Sequence, residues 1–176
     1  LSRLFLGLIG LGGLGLAIGA FAGAERLWAN LLIVTFFGAG LGLGGLLFLA
    51  FHYLTGAKWS DPLRRVAEAV ASVLPASALA LGVVVAAGLS HYPWTHEDLA
   101  SHATWWFKAA WLEPSFFLIR TAAYLILWIL FSAAMVRASQ REDSNGRAGA
   151  RRWNVRLSAL FLVVFSVTLW LATTDW

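Results

Sequence analysis

Five long apolar stretches, separated by more polar segments, dictate what this chain can become. They run over about 4–24, 29–54, 66–89, 114–136 and 155–173. A helix crossing the hydrocarbon core needs about 20 mostly apolar residues at about 1.5 Å each, and every stretch approaches or exceeds that length. A soluble domain has no core in which to hide five such segments within 176 residues. Composition agrees: only 12% of the chain is charged, about half the share usual in soluble domains. The expectation is an all-α integral membrane protein, one membrane domain over 1–176 with five transmembrane helices.

The basic residues then read as topology signals and lipid contacts, and nucleic acid is not an expected partner. Arg3, Lys58, Arg64, Arg65, Arg137, Arg141, Arg147, Arg151, Arg152 and Arg156 fall on one side of the five spans, and Arg26 and Lys108 on the other. Ten against two places the N-terminus in the cytoplasm and the C-terminus outside. Trp28, Trp59, Trp94, Trp111, Trp153 and Trp176 fall near span boundaries, the depth that amphipathic indoles favour, whereas Trp128 is mid-span. The first span is too long for a signal h-region and has no cleavage pattern after it, so a secretory leader is not expected there.

Between the spans, Asp61-Pro62 predicts a helix start with a capping residue and proline at the first helical position. Glu113-Pro114 repeats the arrangement, with an acid at the positive end of the helix dipole. Thr95-His96-Glu97-Asp98 resembles a capping box, and Leu99, Ala103, Trp106 and Ala110 then share a helical face. An outer amphipathic loop helix over about 96–112, lying on the membrane surface, follows from that spacing. The segment 137–153, rich in Ser, Asn, Gly and charge, reads as a polar cytoplasmic connector.

Gly10-x-Gly12-x-x-Gly15 and Gly40-x-Gly42-x-x-Gly45 both fit a dinucleotide-binding pattern, but both lie inside apolar spans rather than after a strand. Close helix packing is the expected meaning, with Gly15, Gly19 and Gly23 at four-residue intervals and Gly38 and Gly42 likewise.

Polar residues within the membrane cost roughly 2.5–3.5 kcal/mol for a central charge, so each needs a reason. Glu68 lies seven residues past Asp61, and His52 lies near the same surface on the preceding span. The two could meet across the hairpin and begin a proton path; alternatively, Glu68 pairs with Arg64 at i,i+4. Arg120 and Asp175 fall at similar depth on antiparallel neighbours, as a structural ion pair or as flanks of a quinone or proton pathway. Tyr124, one turn beyond Arg120, adds a hydroxyl there. His91, His96 and His102 with Glu97 and Asp98 read as a solvated loop, and no metal site is expected.

With no cysteine in the chain, cysteine-ligated iron–sulfur clusters and haem c attachment through C-x-x-C-H are excluded. The spans offer only His52 as a histidine, so a bis-histidine haem b has no second ligand. No catalytic residue emerges, and any metal cofactor of an electron-transfer role belongs to a partner.

A resemblance runs from the second span to the last residue. His52-Tyr53-Leu54-Thr55-Gly56-x-x-Trp59, Arg64-Arg65-x-x-Glu68-Ala69 and Leu74-Pro75 occur in order. Tyr92-Pro93-Trp94, Lys108-Ala109-x-x-Leu112-x-Pro114-x-Phe116-Phe117-x-x-Arg120 and Ser166-Val167-Thr168…Asp175-Trp176 follow. The set resembles ActF, the second NrfD-like membrane subunit of bacterial alternative complex III, a quinol:cytochrome c oxidoreductase of the respiratory chain. It corresponds to about the first half of that family, which continues past the equivalent of Trp176, and Glu113 stands where the family tends to have Asn.

The resemblance implies a multi-pass subunit of the bacterial inner membrane with an NrfD-like antiparallel helix bundle. It implies scaffolding and proton translocation rather than redox chemistry of its own. His52 and Glu68 would form the cytoplasmic part of the proton route and Asp175 its outer part. Quinone or menaquinone is the implied small molecule, and haem c and iron–sulfur clusters are expected on partner subunits beside other membrane subunits and lipids. Two alternatives stay open: a structural or assembly subunit of another respiratory or photosynthetic complex, and a quinol-site subunit using the Arg120–Tyr124 region.

Overall fold

The computed structural model describes residues 2–57, 60–96, 106–145 and 147–175, and among these the chain is helical without a strand. Helix α1 spans Ser2–Ala22 and α2 Ala24–Thr55. Gly23 makes the sharp turn between them at φ 126°, a conformation that L side chains rarely adopt. Helices α3 (Asp61–Ala71) and α4 (Leu74–Ala87) together make the next crossing, and α6 (Pro114–Asn145) and α7 (Arg147–Asp175) the last two. Two 3₁₀ turns, Leu89–His91 and Pro93–Thr95, and the short α5 (Trp106–Trp111) lie before α6.

Among the described residues, four stretches are long and apolar enough to cross a membrane: Glu25–Thr55, Asp61–Ala87, Pro114–Glu142 and Arg151–Asp175. This is a multi-pass, all-α membrane protein. In α1 the apolar stretch that qualifies is shorter, Gly10–Gly19.

The four crossings close into an up-down-up-down ring: α2 packs on α3 and α4, α4 on α6, α6 on α7, and α7 back on α2. The core is built from the inward faces of all four, including Leu46, Leu74, Leu81, Phe117, Trp128 and Phe161. Outward faces carry Phe37, Val83, Ile119, Val163 and Trp170, as a lipid-facing surface should. The buried Trp128 indole donates to Thr168 Oγ1 at 2.9 Å, so its polar atom is satisfied at mid-span. One end of the ring collects Thr55, Asp61, Arg64, Glu142 and Arg151 and is called the basic end below. The other carries Trp28, Trp94 and Trp111.

Glycines set how closely α2 approaches its partner. A Cβ on Gly42 would sit 2.7–2.9 Å from Leu74 atoms, and one on Gly45 would sit 2.7 Å from the Ala71 nitrogen and 2.8 Å from the Ala67 oxygen. Gly38 abuts Ser77 in the same way. The packing expected of Gly38 and Gly42 is present, with Gly45 added. In α1 the expectation holds only for Gly19, which meets Leu27. Gly15 has open space beside it and Gly23 is the turn residue.

Three local expectations are corrected. The third of the expected spans is not one helix, because it breaks at Ser72–Val73. Pro75 has no N–H to give the carbonyl of Ala71, four residues back, and Ser132 of α6 supplies the missing donor at 3.1 Å. Asp61 is the first helical residue rather than the cap, with Ser60 before it. Ser60 makes no side-chain bond to the helix, because its hydroxyl is engaged with Ala57 and His52. The segment 137–153 is not a loose connector: α6 continues to Asn145 and α7 begins at Arg147. Asn154 Nδ2 donates to Glu142 Oε2 at 2.7 Å, tying the two extensions together.

In the outer loop, Trp106–Trp111 is helical and 93–95 forms a 3₁₀ turn; 97–105, which include Glu97, Asp98 and His102, lie outside the described residues. His91 stacks on Trp28 at 5.0 Å between ring centroids, and His96 Nε2 bonds the Ser90 carbonyl at 2.8 Å. Tyr92, buried against Trp28, Trp94 and Phe117, has its hydroxyl pushed above its ordinary pKa by that burial.

Candidate functional site

At the basic end, polar side chains from all four crossings meet. Glu68 on α3 is 5% exposed and is held from three directions. Arg65 Nη1 donates to Oε2 at 2.9 Å, Arg64 Nε stands 3.8 Å from Oε1, and Ser139 of α6 donates to Oε1 at 2.5 Å. Ser139 Oγ in turn accepts from Tyr53 of α2 at 2.7 Å. Two hydroxyl hydrogens therefore point one after the other at a buried carboxylate.

The network extends sideways. Arg64 Nη1 donates to the Tyr53 hydroxyl at 3.4 Å and lies 3.9 Å from Glu142 Oε2, which also takes the Asn154 amide of α7. On the same face of α7, Asn154 Oδ1 and Ser158 Oγ are buried without a hydrogen-bond partner among the described residues. A buried carboxylate is tolerable in an apolar bundle only with such a set of donors, because isolated it would cost several kcal/mol.

His52 and Glu68 do not meet, which corrects the expectation that they could join across the hairpin. Glu68 lies about 10 Å along α3 from Asp61, and it is Tyr53, not His52, that turns toward it. The His52 ring faces the mouth. Its Nδ1 is 2.6 Å from Ser60 Oγ, and its Nε2 is 3.5 Å from Asp61 Oδ1. Ser60 spends its one hydrogen on the Ala57 carbonyl at 2.8 Å, so in this arrangement Nδ1 carries the proton and donates. Nε2 is left facing the exposed carboxylate of Asp61.

At the tryptophan-rich end, Arg120 and Asp175 form a buried two-pronged pair. Nη2 donates to Oδ1 at 2.6 Å and Nε to Oδ2 at 2.7 Å, and the Asp175 side chain is 0% exposed. Trp111 adds a third donor, its indole N–H reaching Oδ1 at 2.9 Å. The guanidinium also donates to the Trp111 carbonyl and lies 3.9 Å from the Trp111 ring centroid. The Tyr124 hydroxyl faces this pair electrostatically but makes no hydrogen bond of good geometry. Three N–H groups thus converge on the two oxygens of Asp175, two of them from the guanidinium.

Ser139, Glu142 and Asn154 belong to no motif that marks them in the sequence, and Tyr53 is marked only by its place in the His52-Tyr53-Leu54-Thr55-Gly56 run. Ser139 and Glu142 sit at i,i+3 on one helical face, a signal hidden by reading 137–153 as connector. Trp111, which its sequence position places at the membrane boundary, also serves as a carboxylate donor.

Glu113 caps α6: its Oε2 accepts the backbone N–H of Phe116 at 2.8 Å. That bond, supported by Ser115, holds its carboxyl below the usual range. A depressed folded pKa stabilises above the unfolded value of about 4.3 and fades as pH falls through the lower folded value. Protection of the Phe116 and Phe117 amides from hydrogen exchange, corrected for intrinsic rates, is therefore expected to drop below about pH 4.3. In Glu113→Gln it should be weaker at neutral pH and flat through that range.

No protein-family model matches the chain, and no curated protein matches it.

Proposed function

We propose that this chain is a multi-pass subunit of a bacterial inner-membrane quinol:cytochrome c oxidoreductase of the alternative-complex-III kind. In this reading α1 is a fifth span, the N-terminus is cytoplasmic, and the bundle is the NrfD-like half its sequence resembles. The subunit is non-catalytic. It scaffolds iron–sulfur and cytochrome c partners, which hold the clusters and haem c, and it carries a proton route beside the quinol or menaquinol that those partners oxidise to the quinone.

The observation that carries the reading is the Tyr53–Ser139–Glu68 relay, two hydroxyls ending on a buried carboxylate at the basic end. His52 with Asp61 sits at the mouth of that end, as a group exchanging protons with solvent would. The ordered resemblance supports the complex to which the route belongs.

Isolation of the tagged chain from gently solubilised membranes, with mass spectrometry of what accompanies it, tests the assignment. Haem c and iron–sulfur subunits are expected; a stable chain without partners would refute it. In the assembled complex, Glu68→Gln is expected to slow quinol oxidation at least tenfold while subunit stoichiometry is retained. Unchanged turnover would remove the proton route and favour the second reading, a structural or assembly subunit of another respiratory or photosynthetic complex. The full pairing of Arg120 with Asp175 favours that second reading at the opposite end. A quinol-site role would instead use the Tyr124 hydroxyl, and an Arg120→Ala complex with normal quinol oxidation would exclude it.

A further inference from the structure

The glycines of α1 and α2 differ in what fills the space beside them. Those of α2 at Gly38, Gly42 and Gly45 are closed by the crossing opposite. Gly12, Gly15 and Gly19 share one face of α1, the arrangement that lets helices touch, yet a Cβ on Gly12 or Gly15 would meet nothing within 4 Å. Gly19 meets Leu27, and beyond that contact the two helices part.

The gap is a groove of about 540 Å³, walled by Gly12, Gly15 and Gly19 on one side and Arg26, Asn30 and Val34 on the other. That volume falls within the range of small-molecule sites. Arg26, Asn30 and Val34 recur every four residues, so the α2 wall runs about 12 Å from a cationic mouth to an apolar floor. Glu25, the acid beside Arg26, does not line the groove, and Arg26 makes no ion pair among the described residues. The larger groove between α2 and the end of α7 has no charged lining residue and points to no particular occupant.

We propose that the α1–α2 groove binds an anionic phospholipid. Its phosphate pairs with Arg26, the Asn30 amide donates to the phosphate or ester oxygens, and one acyl chain lies over Gly12 and Gly15 toward Val34. A second helix would also suit a glycine face, but it would have to bring its own acid to Arg26. A phospholipid supplies the charge and the chain together. The site rests on α1 lying in the membrane, as proposed above.

The full chain, purified in detergent and titrated with phosphatidylglycerol or phosphatidylcholine, tests this by native mass spectrometry. One tightly retained phosphatidylglycerol per chain is expected, in preference to phosphatidylcholine. Arg26→Gln is expected to weaken its binding about five-fold or more, the equivalent of about 1 kcal/mol per basic residue, and Arg26→Lys to restore most of it. Gly15→Leu fills open space, so it should fold normally and lose the lipid. Equal binding of the two lipids, or unchanged binding in Arg26→Gln, would overturn the site. So would a dimer that Gly15→Leu abolishes and excess phosphatidylglycerol does not.

The cysteine-free chain allows the premise to be checked separately, through Leu14→Cys at an outward position of α1. Protection from a membrane-impermeant maleimide without lipid preference would refute the site and leave the span standing. Labelling in intact membranes would refute both.

Discussion

Arg120→Leu is expected to destabilise the protein by about 3–5 kcal/mol, because it strands the Asp175 carboxylate inside the bundle. The Trp111 indole supplies one neutral hydrogen bond to a side chain with no solvent exposure. The loss should appear as a lower unfolding midpoint when dodecyl sulfate is titrated into maltoside micelles. The double variant Arg120→Leu/Asp175→Leu tells whether the penalty is the orphaned charge or the lost packing. Removing both partners of a buried pair is often close to neutral, so most of the loss should be recovered. A single variant within 1 kcal/mol of the parent, or a double variant no better than the single, would contradict a buried, structural pair.

The second large effect separates two neighbouring residues. Gly45→Ala is expected to cost about 1–3 kcal/mol and Gly45→Leu to prevent assembly of the bundle, because the new carbon would collide with backbone atoms of Ala67 and Ala71 that have no rotamer to escape into. Gly44→Ala, one residue earlier, meets nothing within 4 Å and should be neutral or stabilising by up to about 1 kcal/mol through helix propensity. The same unfolding titration checks both. Equal effects at 44 and 45 would show that α2 does not present this face to α3.

The features that could be read in advance were those written in the chain's own periodicity. Apolar length, the helix starts near 61–62 and 113–114, and the glycine spacing at 38 and 42 are each visible within a single helix. Depth arithmetic on antiparallel neighbours was enough to bring Arg120 and Asp175 together. Contacts between helices at the basic end were not legible for a different reason. Ser144, Asn145 and Gly146 signal a turn, yet the flanking residues continue both helices, which hides Ser139 and Glu142 as members of a helical face. His52 turns away from Glu68 because its nearest polar partner, Ser60, lies on the segment joining two helices, where no periodicity applies. The break at 72–73 had its cause in plain view at Pro75, but the donor that makes it tolerable, Ser132, is 61 residues away in sequence.

That break has a mechanical consequence. The Ala71 carbonyl bonds to Ser132 of α6 rather than to its own helix, while Ser72 and Ser77 keep the neighbouring backbone bonds to Glu68 and Val73. Glu68 lies a single turn before the break, on α3, which is itself seated on α2 through Gly45 against the backbone of Ala67 and Ala71. Ser132 and Ser139 of α6 thus hold α3 at two successive levels, one at the main chain and one at the carboxylate.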